Sequence, residues 1–209
     1  MKKIALIGDL VASRKIANRA AFQASLLATL TRLSEDNPHI LSPYTLTLGD
    51  EFQAVFDSGA GIFKDVMLIL TTVYPQKVRF AIGVGDIDTA INPKQSIGMD
   101  GPAFHNARKE LERLKAEECL FGVAGIDGHC GVLTRESLHL LSHNIDKWKE
   151  NRFHILAMLN KGLSVKEIAD SLQISDKAVY KDIDSGTLRT VIRMLAAVEA
   201  IIDDNLVNT

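Results

Sequence analysis

The chain has 209 residues, enough for one large domain or for a main domain with a smaller one appended. Its 24 lysines and arginines nearly balance its 26 aspartates and glutamates, so no overall charge favours nucleic acid or an anionic membrane. With only Cys119 and Cys130 present, a disulfide framework is excluded.

The N-terminal region begins with a short apolar segment. It runs only from Ile4 to Ile7 before Gly8 and Asp9, too short for a signal-peptide core or a membrane span. We therefore expect a cytoplasmic protein with no membrane partner.

Periodicity predicts the elements of the first half of the chain. These are a strand over 3–8, an amphipathic helix over 19–33, a hairpin within "TLTLGDEFQAVF" at 45–56, a helix over 62–73 and a strand over 78–84. The order β-α-β-β-α-β is that of the ferredoxin-like unit, so the expected fold class is α+β.

This strand order has a consequence for two aspartates. It inserts the third strand between the first two, antiparallel to both, which brings Asp9 at the end of strand one beside Asp50 at the start of strand three. Two carboxylates at one sheet edge suit a divalent cation with hard oxygen ligands. Taken singly, Asp50 also fits a solvated turn and Asp9 a helix or loop cap.

A further helix is predicted in "GMDGPAFHNARKELERLKAEE". Its apolar face carries Phe104, Ala107, Leu111 and Leu114. Its opposite face carries His105, Asn106, Arg108 and Lys109, which are either solvated or placed to meet an anion near the helix start.

A strand in "ECLFGVAGIDG" and a helix beginning from a Thr134 cap complete this part. We place a boundary near 147–150, which divides the chain into domains 1–148 and 149–209. Cys119, His129 and Cys130 are potential soft ligands, but adjacent His-Cys lacks the spaced pairs of structural zinc sites, so buried thiols are expected.

The stretch "GLSVKEIADSLQISDKAVYKDI" has the spacing of a helix-turn-helix, with Ser175 as the cap of its second helix. That helix would display Lys177, Tyr180 and Lys181 outward, where they could meet DNA phosphates and a base edge or sugar. Residues 152–209 contain seven Lys/Arg and eight Asp/Glu, so the basic footprint of a dedicated DNA binder is missing. Protein contact is the main alternative.

The last segment, "TLRTVIRMLAAVEAIIDDNL", has an apolar side long enough to pair two chains. Leu188, Val191, Ile192, Leu195, Val198 and Ile202 form that side. A homodimer would suit a two-fold operator.

The segments "IGDLVASR", "GDEFQAVF", "RFAIGVGDI" and "DGPAFHNARKEL", followed by Trp148 and the helix-turn-helix, together resemble the SatD family of bacterial proteins over essentially the whole chain. Residues 4–110 are also similar to class III nucleotidyl cyclase domains and, more distantly, to GGDEF domains.

The cyclase resemblance implies that Asp9 and Asp50 hold two Mg²⁺ or Mn²⁺ ions on a nucleoside triphosphate, with the Leu10 carbonyl as an extra ligand. It places phosphates near Ser13 and Arg14. The implied reaction is two-metal attack of a ribose hydroxyl on the α-phosphorus.

The sequence departs from the cyclase pattern in two places. Leu46 stands where cyclases carry a base-selecting lysine. Their later asparagine and arginine fall on His105 and Lys109, with Asn106 and Arg108 each one residue away. This pattern favours nucleotide binding over efficient cyclisation.

The leading hypothesis is a DNA-binding transcriptional regulator with a cyclase-like domain that senses a nucleotide and a divalent metal. The alternatives are an active nucleotidyl cyclase or related nucleotidyltransferase, and an interaction protein whose two modules only pack against partners.

Overall fold

The computed structural model describes residues 2–16, 18–47 and 50–207. Within these ranges the chain forms five strands and eight α-helices, a mixed α+β fold. The strands are β1 (Lys3–Leu10), β2 (Ile40–Leu46), β3 (Glu51–Phe56), β4 (Val78–Gly85) and β5 (Phe121–Ala124). The helices are α1 (Arg19–Asp36), α2 (Ile62–Val73), α3 (Pro102–Ala116), α4 (Gly128–Ile145), α5 (Glu150–Asn160), α6 (Val165–Leu172), α7 (Asp176–Ser185) and α8 (Leu188–Val207). Leu48 and Gly49, at the tip of the predicted hairpin, lie outside the described residues.

The five strands form one sheet in the order β2-β3-β1-β4-β5. Strand β1 is antiparallel to both β3 and β4, and β5 extends the sheet by pairing parallel to β4. In this register Asp9 lies opposite Glu51 on one side and Arg79 on the other. The third strand therefore lies between the first two, which positions the C-terminal end of β1 beside the start of β3.

The side chains of β1 divide the core into two layers because successive residues of a strand point to opposite faces. Ile4 and Leu6 belong to the larger core, whereas Ala5 and Ile7 pack with the apolar side of α3. A Cβ atom at Gly83 would lie 2.1 Å from the Ala103 carbonyl oxygen, so this glycine allows α3 to approach the sheet closely. Asp9 follows the same alternation and lies on the α3 face.

Helices α5 and α8 pack against α2, and the C-terminal helices share the larger core. The rings of Tyr74 and Phe153 are 5.9 Å apart across this contact. The buried residues of α8 are Leu188, Val191, Leu195, Val198, Ile202 and Leu206. The prediction that this apolar side pairs two chains is wrong for this face, because the chain's own helices already cover it.

Helix α4 begins earlier than the sequence predicted. It starts at Gly128, after Asp127 at the N-cap position, and Thr134 is a buried residue within it rather than its cap. Val132 and Leu133, in the first turns, are exposed apolar residues, so the sequence there lacks the spacing of an amphipathic helix. The start of α4 was missed for this reason.

None of the described helices combines the length and apolar character needed to cross a membrane.

Candidate functional site

Asp9 lies at the end of β1 with 7% of its surface exposed. The Arg79 Nη1 atom donates a hydrogen bond to its Oδ2 atom over 3.0 Å. The Lys115 Nζ atom, at the C-terminal end of α3, lies 4.0 Å from Oδ1. One carboxylate is therefore held between a neighbouring strand and a helix.

Burial raises the pKa of Asp9, while the hydrogen bond from Arg79 and the charges of Lys115 and Arg79 oppose that change. The net pKa remains above its usual value, so the two cations do not fully compensate for the loss of solvation. Asp9 is therefore a buried carboxylate that already has two cationic partners.

Asp50 is fixed next to Asp9 by two hydrogen bonds. Its backbone carbonyl accepts from the Leu10 N–H over 3.0 Å, and its Oδ2 accepts from the Ser13 hydroxyl over 2.7 Å. Ser13 is buried and Arg14 is exposed. The loop after β1 forms only a three-residue 3₁₀ turn, Ser13–Lys15, and this limits the helix-dipole attraction expected for phosphates there.

Glu51 is a third carboxylate at this edge, and the sequence analysis did not select it. The Arg108 Nη1 atom lies 2.8 Å from its Oε2, and the Lys115 Nζ atom lies 3.9 Å from its Oε1. The signal that could have identified it is the register, since Glu51 is paired directly with Asp9. We refer to Asp9, Asp50 and Glu51 as the acidic edge.

Helix α3 separates the four residues predicted as catalytic. It runs from the end of β4, where the Ala103 N–H bonds to the Asp86 carbonyl, to Lys115 beside Asp9. Among the four, Arg108 reaches the acidic edge through Glu51. The other three have different surroundings. His105 pairs with Asp100 at 2.8 Å, the Asn106 amide donates to the Val84 carbonyl over 2.8 Å, and exposed Lys109 lines an open groove of about 860 Å³ with Asp127.

The donor chemistry of the acidic edge fits Mg²⁺ or Mn²⁺, because carboxylate oxygens are their preferred ligands. The observed partners of Asp9 and Glu51 are cations, so a metal ion would have to displace Lys115 or rearrange Arg79 and Arg108. Within the described ranges, one group of three His, Cys, Asp or Glu side chains has ligand atoms close enough to share a metal ion, and it lies elsewhere.

The expectation of buried thiols is confirmed for Cys119 and is wrong for Cys130. Cys119 is buried and Cys130 is exposed on α4. Burial raises the pKa of the Cys119 thiol, with the nearby Glu117 charge adding to the effect.

Helices α6 and α7 are joined by the three residues 173–175. Ser164 and Glu167 form a capping box at the start of α6, and Gln173 adopts a left-handed conformation after it ends. The Ser175 hydroxyl accepts from the Ala178 N–H over 3.2 Å at the start of α7, as its predicted role as a cap requires. The side chains packed between the helices include Ile168, Ala169, Val179 and Ile183.

The outer side of α7 carries the three residues predicted to contact DNA. Lys177, Tyr180 and Lys181 are all exposed, with Tyr180 54% accessible. The inner side is anchored to α5, because the Arg152 guanidinium donates to Asp182 over 2.7 Å and to the Ser185 hydroxyl over 2.7 Å. The exposed side of α7 is therefore presented on a fixed helix.

Comparisons with known proteins give a family match and a weak structural similarity. The profile of the SatD family matches residues 3–202. A regulator of polyketide synthase expression from Bifidobacterium adolescentis, known from its crystal structure, is 14% identical over 97% of this chain and 87% of that chain. Its TM-score of 0.29 is too low to assign a shared fold or function. No curated protein matches at a significant level. The family match spans nearly every element described above, and the chain therefore belongs to the SatD family.

Proposed function

We propose that this protein is a DNA-binding regulator. Its N-terminal half, which contains the β-sheet and is called the sheet half, binds a nucleoside triphosphate together with Mg²⁺ or Mn²⁺. The observation that carries the DNA-binding part is the exposed group Lys177, Tyr180 and Lys181 on α7, a helix capped by Ser175 and anchored by Arg152. Helices α6 and α7 would then form a helix-turn-helix with α7 as its recognition helix.

Residues 152–209 have slightly more acidic than basic side chains, and α7 carries exposed Asp176 and Asp184 beside its two lysines, so the proposal rests on the placement of individual charges. Asp182 is already paired with Arg152, so it does not oppose an approaching phosphate as a free carboxylate would. Lys177 and Lys181 are four residues apart, which places both ammonium groups on one side of α7. Tyr180 lies beside them and can reach a base edge or a sugar.

The DNA-binding proposal is tested with a double variant, Lys177→Ala/Lys181→Ala. Loss of two phosphate contacts should weaken binding and reduce the slope of log affinity against log salt by about two. Fluorescence anisotropy with labelled duplex DNA measures both quantities. The control is Lys64→Ala/Lys94→Ala, which removes the same charge from exposed positions outside α7. Equal affinity and equal slope in the two double variants would refute the role of α7.

The acidic edge supports the second part of the proposal. We propose that the strand order β2-β3-β1-β4, with Asp9 and Asp50 on adjacent strand ends, belongs to a ferredoxin-like, cyclase-like unit. Cyclase sites are shared between two chains, so His105, Asn106 and Lys109 of one chain would serve the acidic edge of a second. We therefore propose a homodimer formed by the sheet half.

Calorimetric titration of ATP and GTP, each with and without Mn²⁺, tests this site. We expect metal-dependent binding by the wild type and a loss of at least about tenfold in Asp9→Asn and Asp50→Asn, because each removes one anionic ligand. Asp88→Asn, which removes an exposed acid away from the acidic edge, should bind normally. Absence of binding by the wild type would remove the nucleotide role and leave the DNA-binding proposal standing.

The two activities should be coupled, because the C-terminal helices share the larger core with α2 of the sheet half. Ordinary allosteric coupling would change DNA affinity by about 5- to 150-fold when nucleotide binds. Anisotropy measured with and without saturating nucleotide gives this factor. A turnover assay with Mn²⁺ in the same samples distinguishes a sensor from an active cyclase, since a sensor binds the triphosphate without consuming it.

A further inference from the structure

Glu117, Cys119 and His139 form a cluster outside the acidic edge. Glu117 directly follows α3, Cys119 lies two residues before β5, and His139 lies in the middle of α4. One potential ligand atom from each of the three lies within 4.8 Å of the others. The α3–β5 connection and α4 therefore bring a thiol, an imidazole and a carboxylate to one place.

The other contacts of this cluster are weak or leave a ligand atom available. The Cys119 thiol is 3.6 Å from the Glu117 backbone carbonyl, and the His139 ring packs edge-on against His143 at 6.1 Å. Among residues 2–16, 18–47 and 50–207, neither ring nitrogen of His139 has a hydrogen-bond partner. Glu117 pairs with Arg113 through Oε2, which leaves Oε1 for another ligand.

Arg113 is the main positive charge near this cluster, and a buried carboxylate already accompanies it. Its guanidinium donates two hydrogen bonds to Glu110, over 2.6 and 3.0 Å. Since Glu110 is 6% exposed, this pair is an internal salt bridge whose charges largely cancel at the cluster. The remaining electrostatic environment does not repel a cation.

We propose that Glu117, Cys119 and His139 bind a divalent ion of the zinc class. Sulfur, nitrogen and oxygen donors in one group are typical of Zn²⁺, whereas Mg²⁺ and Ca²⁺ select oxygen alone. Metal–ligand lengths of about 2.0 to 2.3 Å imply donor separations of about 3.6 Å in a tetrahedral site, so the cluster contracts by about 1 Å on binding. Glu117 is exposed, and a water molecule takes the fourth position.

The bound ion would connect the α3–β5 segment to α4. Ser142 already connects these two parts of the chain, because its hydroxyl accepts hydrogen bonds from the Leu120 N–H over 3.1 Å and from the Phe121 N–H over 3.3 Å. His139 lies about one turn before Ser142 on the same helix. A metal ion would therefore reinforce an existing contact, and binding should raise the melting temperature of the whole protein.

Titration of metal-free full-length protein with Co²⁺ tests this site, because a thiolate ligand gives a sulfur-to-cobalt charge-transfer absorption. We expect the absorption in wild type and in Cys130→Ser, and its loss in Cys119→Ser. Competition with Zn²⁺ and a chromophoric chelator should show affinity falling at least about tenfold in His139→Gln and Glu117→Gln, since each removes a direct ligand. Far-ultraviolet circular dichroism of the metal-free variants checks that they fold.

Two outcomes would overturn the site. One is the absence of a charge-transfer absorption in the wild type. The other is equal metal affinity in Cys119→Ser and Cys130→Ser, which would indicate only non-specific binding to exposed acids and histidines. Neither outcome affects the acidic edge, whose metal dependence is measured through nucleotide binding and whose variants do not touch this cluster.

Discussion

Asp65 is a carboxylate in the first turn of α2 with 3% of its surface exposed. It accepts hydrogen bonds from the Asn37 amide over 2.9 Å and from the Tyr44 hydroxyl over 3.3 Å. Burial raises its pKa from 3.8 to about 6, although the two hydrogen bonds and the charge of Lys64 act in the opposite direction. The folded state therefore holds a proton on Asp65 more tightly than the unfolded state does.

This pKa predicts how stability depends on pH. The contribution of the protonated carboxyl is fully present below about pH 4, the unfolded pKa, and is lost as the pH rises through about 6. In Asp65→Asn the side chain stays neutral, so its free energy of unfolding relative to wild type should increase by up to about 3 kcal/mol between pH 4 and pH 7. Urea unfolding across this range measures the difference. A difference that stays flat, as expected for the exposed control Asp88→Asn, would contradict the prediction.

Only part of the acidic edge could be predicted from the sequence. The convergence of Asp9 and Asp50 follows from strand order, which the sequence pattern indicates. The partners Arg79 and Lys115 could not be predicted, because ion pairs depend on strand register and on where long side chains end. Glu51 was missed for the same reason.

At the scale of elements, the stability of α7 depends on the Ser175 cap at its start. Ser175→Ala removes the hydroxyl that accepts from the Ala178 N–H, and we expect the free energy of unfolding to fall by about 1 kcal/mol. DNA affinity should fall with it, because a frayed first turn holds Lys177 less firmly. Ser171→Ala, an exposed position on α6, is the matched control. Equal denaturation midpoints for the two variants would argue against the cap.

Local sequence signals and periodicity predicted where the helices lie better than they predicted what packs against them. The Ser175 cap and the packing residues of α6 and α7 were recognisable because their spacing is local. For α8 the pattern identified the apolar side correctly, but not what covers it. That side packs within the chain because α2, α4, α5 and α7 leave a groove of matching apolar residues, and this follows only from the assembled fold.

At the scale of the whole molecule, side chains of α8 form hydrogen bonds with residues around the start of α2. The Asp203 carboxylate accepts from the Gly59 N–H over 2.5 Å and from the Ser58 hydroxyl over 3.0 Å. Glu199, one turn earlier on α8, accepts from the Phe63 N–H over 2.9 Å. Glu199 therefore satisfies a backbone donor in the first turn of α2, where negative charge is favourable, and Asp203 satisfies one in the segment just before it.

Asp203→Ala should lower the free energy of unfolding by about 2 kcal/mol, because it leaves donors at the α2 start without their charged acceptor. Asp204→Ala changes the adjacent exposed acid on the same helix and should have little effect. Chemical denaturation of both variants gives the comparison. Similar losses in the two would mean that helix propensity rather than the contact with α2 determines the result.

The contact between Asp203 and Gly59 joins residues 144 positions apart. At synthesis rates of about 5 to 20 residues per second, the ribosome needs roughly 7 to 30 seconds to deliver α8 after the start of α2 has been made. Throughout that interval the apolar surface of α2, including Phe63 and Met67, has no cover from α8, which packs against α2 in the folded chain. A nascent chain with this surface uncovered is a target both for chaperones and for aggregation.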